Sequence, residues 1–166
     1  MSTEIAAVRR RANALLLFAC LTCIAATCAP HASPNVADLC RGRTVSTDVT
    51  LVIDTTLAPA PATLRALTGQ RYHMTLRLMP QQLTGSCGDA SGQASYDADL
   101  PDELNAGISR SVSPTWLMSG PEVVVDFNPQ VASEHLELRL PLDGSTGHWT
   151  LTSTGGQIAR GRVLTG

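Results

Sequence analysis

The chain has 166 residues and a mass of 17.5 kDa, which is the size of a single domain. Hydrophobic residues make up 43% of it and charged residues 16%, a composition too apolar for a disordered chain. The formal net charge of −2 and the 4% of aromatic residues exclude a protein that binds nucleic acid through a basic surface or through stacked bases. All twelve basic residues are Arg, which indicates a GC-rich bacterial genome.

The first residues have the pattern of an export signal. Three consecutive arginines precede a segment at 14–26 that contains no charged residue. A basic segment followed by about 7–15 apolar residues is typical of a secretory signal, whereas a membrane-spanning helix needs about 20 apolar residues. We therefore predict an N-terminal export signal at 1–26, a flexible tether at 27–38 and a single β domain at 39–166.

Two of the five cysteines, Cys40 and Cys87, lie in the predicted domain. An exported domain meets an oxidising compartment in which thiols pair, and within the predicted domain no C-x₂-C motif or neighbouring His pair indicates a metal site. We predict a disulfide between these two residues. It would close a loop of about 48 residues and stabilise the domain by roughly 4 kcal/mol in the chain-entropy model.

Cys28 lies at the end of the predicted signal, and two fates are open for it. Cleavage just before Cys28 would make it the lipidated first residue of a lipoprotein, although the preceding residues resemble a lipobox only loosely. Ordinary cleavage after Ala26 would release the protein without an anchor. The predicted localisation is thus exported: periplasmic, tethered to a membrane by lipid, or secreted.

Beyond the tether, apolar and polar residues alternate, which is typical of half-buried strands. This alternation predicts strands at 45–53, 71–78, 135–140 and 148–154. A short apolar run rich in β-branched residues predicts a strand at 123–127, and the Gly155–Gly156 pair predicts a closing hairpin strand at 157–164. One short helix is predicted at 61–68, with Pro in its first turn and Gly after its end. The predicted fold is mainly β: an antiparallel β-sandwich or small barrel with at most one short helix.

The alternation also predicts one shared core, because residues in phase on neighbouring strands face the same side. Its predicted members are Val49, Leu51, Tyr72, Leu76, Leu138 and Trp149. The Gly- and Ser-rich segment 84–99 is predicted to be the longest loop.

Two residue groups could support catalysis or cation binding. Ser91 could be a nucleophile, but it needs a base positioned by an acid, and no His has a supporting spacing. Asp97, Asp99, Asp102 and Glu103 offer the oxygen ligands that Ca²⁺ prefers, but they do not match an EF-hand loop. We expect these four residues to form a solvated acidic loop.

His73, Met74 and Met79 are ligands that suit a copper carrier. Strand alternation puts His73 and Met74 on opposite faces, and it separates His73 from Met79 by about 20 Å along the strand. We therefore predict no metal and no cofactor.

Trp116 and Met118 are the candidate partner-contact residues. They lie in 111–121, which we predict to be a loop because Pro114 and Pro121 flank them, and an apolar side chain in such a loop can anchor a partner. The competing interpretation is that Trp116 fills one end of the core.

The sequence favours an exported bacterial envelope protein that acts as a non-enzymatic binding or assembly module. Its expected partner is another envelope protein or a cell-surface ligand. The alternatives are a small hydrolase, built on Ser91 or on the four acidic residues, and a periplasmic metal carrier built on His73 and the methionines.

Overall fold

Eight strands follow one another along the chain, and each pairs antiparallel with the next. They are β1 Val45–Thr56, β2 Arg71–Gln82, β3 Ser91–Ala98, β4 Thr115–Ser119, β5 Glu122–Asp126, β6 His135–Pro141, β7 Gly147–Ser153 and β8 Gly156–Thr165. Because β1 also pairs with β8, the sheet closes into a barrel. Of the two architectures left open by the sequence, this computed structural model has the barrel. It describes residues 34–58, 60–82, 87–131 and 133–166, so the predicted signal and Cys28 lie outside the described residues.

The inward faces of the strands form one apolar core. In β6, the three leucines at 136, 138 and 140 are fully buried, while the residues between them are partly exposed. All six residues predicted to share the core pack in it, with Tyr72 partly buried at its margin. The predicted inward-facing positions of these strands are therefore confirmed.

Two strands lie where the sequence analysis predicted loops. The predicted loop 84–99 contains β3, and the predicted loop 111–121 contains β4. These two loop predictions are wrong for the residues concerned because pairing with neighbouring strands outweighs the local propensity of Gly and Ser, and because prolines flank β4 without interrupting it.

Three short helices lie in the connections: α1 Val36–Cys40, α2 Ala62–Ala66 and α3 Asp102–Asn105. The helix predicted at 61–68 is confirmed as α2, and the chain leaves it through Gly69, whose φ of +86° favours glycine. The prediction of at most one helix is wrong, because helices of four or five residues are too short to show helical periodicity.

Each helix contributes one fully buried leucine to the core: Leu39 from α1, Leu64 from α2 and Leu104 from α3. The helices α2 and α3 follow β1 and β3 at one end of the barrel, whereas α1 precedes β1 at the other end. Helix α1 begins at Val36, inside the segment predicted as a tether. No helix in the described part of the chain is long and apolar enough to cross a membrane.

The predicted disulfide between Cys40 and Cys87 is confirmed, with 5.1 Å between the Cα atoms. Cys40 is the last residue of α1, and Cys87 begins a 3₁₀ turn at Cys87–Asp89 in the connection from β2 to β3. The bond therefore ties the segment before β1 to the connection that leads into β3.

Inside the barrel, the indole side chain of Trp149 passes over the neighbouring strand β8 and reaches β1. Trp149 lies on β7 opposite Gly161 of β8, and its Nε1 donates a hydrogen bond to the carbonyl oxygen of Val52 on β1, at 3.0 Å. A Cβ at Gly161 would overlap both the Val52 carbonyl oxygen and the indole nitrogen. The crossing therefore requires glycine at this position.

Trp116 makes the same arrangement on other strands. It lies on β4 opposite Gly92 of β3, and its Nε1 donates to the carbonyl oxygen of Met79 on β2, at 3.3 Å. Both crossings adjoin a shift in strand register, at residues 53–55 for the first and at 80–82 for the second. The bulges and the tryptophans thus occur together twice in one barrel.

Substituting Gly161→Ala should destabilise the fold by about 2–3 kcal/mol, because the new methyl group forces either the indole of Trp149 or the β1 backbone to move. Urea denaturation would measure the loss. Gly166→Ala is the control, since a Cβ there meets no atom within 4 Å, and it should change stability by less than about 0.5 kcal/mol. Equal effects of the two substitutions would contradict the crossing.

Removing the disulfide by the double substitution Cys40→Ser and Cys87→Ser should lower the free energy of unfolding by up to roughly 4 kcal/mol, because the unfolded chain regains the freedom of the closed loop. Denaturation with and without a reducing agent would measure it. The reductant should lower the stability of the natural protein and leave the variant unchanged.

Candidate functional site

The two residues predicted to contact a partner lie inside the barrel. Trp116 and Met118 face the core and are 1% and 8% exposed. Because side chains alternate along a strand, Leu117 between them faces outward and is 49% exposed. The burial of Trp116 agrees with the competing interpretation, in which it is a core residue. Leu117 is the residue that the sequence analysis missed, and the alternation within 115–119 was the available signal.

A depression of about 420 Å³ lies beside Leu117 on the outer wall. Its lining residues are Gln81, Ser91, Gly92, Thr115, Trp116 and Leu117. Ser91, the candidate nucleophile, thus lies in a depression whose lining includes neither a His nor a carboxylate. This arrangement presents an apolar side chain beside small polar ones, which suits binding better than acyl transfer.

The candidate copper ligands do not come together. Met74 is buried in the core, whereas His73 is exposed on the outer wall, as alternation predicted. The Nδ1 atom of His73 lies 3.0 Å from the hydroxyl oxygen of Thr50 on the neighbouring strand. Within the described ranges, no group of three or more His, Cys, Asp or Glu residues could hold a metal ion.

A second depression, of about 330 Å³, brings His73 near two carboxylates, Asp48 and Asp97. Thr75 stands between these carboxylates in the register, and its hydroxyl donates a hydrogen bond to Asp48 at 2.6 Å. The sequence analysis missed Asp48, because its approach to His73 depends on the pairing of β1 with β2.

The four acidic residues of the predicted loop lie at the end of β3. Asp97 is on the outer face of β3, Asp99 follows the strand, and Asp102 and Glu103 form the first turn of α3. No ion pair to these carboxylates is present among the described residues. The prediction of an acidic loop is therefore wrong for Asp97, which lies on a strand, and for Asp102 and Glu103, which begin a helix; only Asp99 lies in a loop.

β3 has an incompletely paired side. It pairs with β2 along its whole length, but with β4 only from Ser91 to Gln93. One further hydrogen bond, from the Ala94 N–H to the Pro114 carbonyl oxygen at 2.7 Å, extends this pairing. Past it, no backbone hydrogen bond joins this side of β3 to any other segment that the structure describes.

A third depression, of about 340 Å³, lies over β1, β7 and β8 and contains Asp54, His148 and Arg160. Arg162 forms a bidentate hydrogen bond with the Asp54 carboxylate, with N–O distances of 2.8 Å. This hydrogen bond lowers the pKa of Asp54 below its ordinary value and raises the pKa of Arg162. Asp54 is therefore held as a carboxylate and is a weak base for catalysis.

Arg139 is the second ion-pair centre of the outer wall. Its Nε donates to Glu137 at 2.8 Å, and its Nη1 lies 3.5 Å from Glu122. The hydrogen bond to Glu137 raises the pKa of Arg139. These charges pair along the strands and leave no free acid or base among the three residues.

Acidification should remove the contribution of the Asp54–Arg162 pair. Because the folded-state pKa of Asp54 is lowered, the pair stabilises the protein above the ordinary carboxyl pKa and is lost as the pH falls through the folded value. Asp54→Asn should thus reduce the melting temperature slightly at about pH 6, and this effect should disappear as the pH falls through the lowered folded-state pKa of Asp54. Arg162→Gln should have the same profile, and the double variant should add nothing further. A pH-independent effect would contradict the ion pair.

No protein-family model, no curated protein and no solved structure matches the chain at a significant level. A functional conclusion therefore depends on the geometry of the chain's own residues. Two of the depressions hold an exposed apolar side chain: one of about 420 Å³ beside Leu117 and one of about 520 Å³ beside Val131. Only the first is lined by β3, whose incompletely paired side begins further along that strand, past Ala94.

Proposed function

We propose that the chain is an exported bacterial envelope protein that acts as a non-enzymatic binding or assembly module. Its partner is another envelope protein or a cell-surface ligand. The contact surface is the β3–β4 wall, defined by Gln81, Ser91, Gly92, Thr115 and Leu117. The observation that carries this assignment is Leu117, which is 49% exposed beside a depression of about 420 Å³.

Leu117 is suited to anchor a partner. Burying an exposed leucine side chain contributes about 1.5–3 kcal/mol to binding before the entropic costs are counted. The wall around it is rigid, because all five residues of β4 pair with β5 and the indole of the preceding Trp116 is hydrogen-bonded to β2. A partner therefore meets a surface that needs little ordering.

The alternatives raised by the sequence gain less support. A hydrolase built on Ser91 would need a base and an acid in the same depression, and the lining residues supply neither. A metal carrier built on His73 and Met74 would need both side chains on one face of β2, and they lie on opposite faces. Binding at the β3–β4 wall requires no such rearrangement.

Export is the second part of the proposal, and the disulfide between Cys40 and Cys87 supports it because such bonds persist in oxidising compartments. The test is the intact mass of the protein recovered from the membrane and from the soluble envelope fraction of expressing cells. We expect a chain that has lost either residues 1–27, with Cys28 acylated, or residues 1–26, without lipid, and in both cases the disulfide should be intact. An uncleaved chain with free thiols would contradict export.

Binding is tested by a photo-crosslinking amino acid placed at Leu117 in expressing cells. Val131, the other large hydrophobic residue exposed in the described part and 40% exposed, is the matched control position. We expect a discrete adduct from position 117 and none from position 131. The partner identified by mass spectrometry should then bind the purified protein.

The same comparison is made with charged substitutions. Leu117→Arg should weaken the binding of the purified partner by about tenfold or more, whereas Val131→Arg should not, because only the first removes the anchor. Both variants should keep the melting temperature of the natural protein, since both side chains point into solvent. Equal losses of affinity, or no adduct from position 117, would overturn the assignment.

A further inference from the structure

The side of β3 that faces β4 offers unpaired backbone groups. In an antiparallel strand, the N–H and C=O of alternate residues point to the same neighbour. Because the Ala94 N–H points toward β4 and bonds to Pro114, the backbone groups of Tyr96 and Ala98 point the same way. We call these groups the β3 edge. Among the described residues, none of them is bonded to another segment on that side.

The backbone of the β3 edge has the extended conformation of a strand, so a further strand could pair with it. On the side toward β2, Ala98 lies opposite Met74 and Tyr96 lies opposite Leu76 in the strand register. The ring of Tyr96 packs edge-on against Phe127, with the ring centroids 5.2 Å apart. The edge is therefore fixed in place without being covered by a strand, and open edges of this kind accept added strands.

The charge around the β3 edge selects the kind of strand that fits. Asp97 and Asp99 are exposed beside it, and Asp102 follows at the start of α3. The arginines Arg77 and Arg110 form no ion pair with these carboxylates in the described part of the chain. An added strand with Arg or Lys at alternate positions would place positive side chains beside Asp97. A second copy of this chain would instead bring two acidic groups together.

We infer that an extended, basic segment of a partner protein adds to the β3 edge as a further strand. The segment donates and accepts backbone hydrogen bonds at Tyr96 and Ala98, and its basic side chains face Asp97 and Asp99. This inference rests on the proposed function, and it names the chemistry of the partner at the part of β3 past Ala94, whereas Leu117 lies opposite Ser91, which is on the same strand.

The test uses the full chain and an N-acetylated, C-amidated hexapeptide that alternates Arg and Val, with the Glu–Val peptide of the same pattern as its counterpart. We expect the Arg peptide to bind and the Glu peptide not to bind. Hydrogen–deuterium exchange at the amides of Tyr96 and Ala98 should slow by about tenfold when the Arg peptide saturates the protein. Binding of both peptides with equal affinity would overturn the inference.

Two sets of variants separate backbone pairing from simple charge attraction. The double variant Asp97→Asn and Asp99→Asn should lower the affinity for the Arg peptide by about threefold to tenfold. Asp143→Asn, in the turn after β6, is the control and should leave the affinity unchanged. Ala98→Pro removes the N–H of residue 98, which points away from β2, so no hydrogen bond to β2 is lost. It should abolish the protection of the Tyr96 amide by the Arg peptide, whereas Ala98→Gly should keep that protection.

Three outcomes would overturn strand addition. Peptide binding that depends on the carboxylates but leaves the Tyr96 and Ala98 amides unprotected would mean that the peptide binds by charge attraction alone, without backbone pairing. Self-association that protects these amides without peptide would mean that a second copy occupies the edge. Absence of peptide binding, while the partner still crosslinks to position 117, would overturn strand addition and leave the proposed function standing. Loss of the adduct at 117 with peptide binding retained would instead overturn the proposed contact at Leu117.

Discussion

The antiparallel pairing of β1 with β8 is the constraint on which the rest of the structure depends. It joins the two ends of the sheet over the stretch from Val49 opposite Thr165 to Thr56 opposite Ala159. Closure gives the interior a fixed size, so every inward position must hold a side chain that fits. Two tryptophans and a set of leucines fill this space, and the leucine of each short helix completes it.

Closure removes the outer edges of the sheet but not every free backbone group. The strands differ in length, and β4 has five residues where β2 has twelve. β3 therefore follows β2 past the point where β4 begins, and Pro114, which has no N–H, ends the pairing there. The same short strand carries Leu117 on its outer face. The open side of β3 thus comes from the shortness of β4, whereas the exposure of Leu117 comes from its outward position on that strand.

Four of the six predicted strands could be predicted from alternation, because a buried face imposes apolar residues at every second position. The strand at 123–127 could be predicted from its apolar run, and the strand at 157–164 from the glycine pair before it. β3 could not be predicted, because its inward positions include Gly92 and Ala94, which are small, and its outward positions include Ser91, Gln93 and Ser95. The disulfide was predictable from the number of cysteines in the domain and the compartment. The depressions were not predictable, because Asp54 and Arg160 meet only through the register of β1 with β8. The predicted partner contacts Trp116 and Met118 lie on the inner face of β4, and the residue that faces outward between them is Leu117.

The two tryptophan crossings have a consequence for the alignment of the strands. Each indole passes over one particular residue of the next strand, and only glycine leaves room for it. If β8 slipped by one residue against β7, Arg160 or Arg162 would replace Gly161 under the indole of Trp149, and the hydrogen bond to Val52 would be blocked. The barrel therefore tolerates only one alignment at each crossing, and the wrongly paired sheets that alternating sequences can form are excluded by the shape of two side chains.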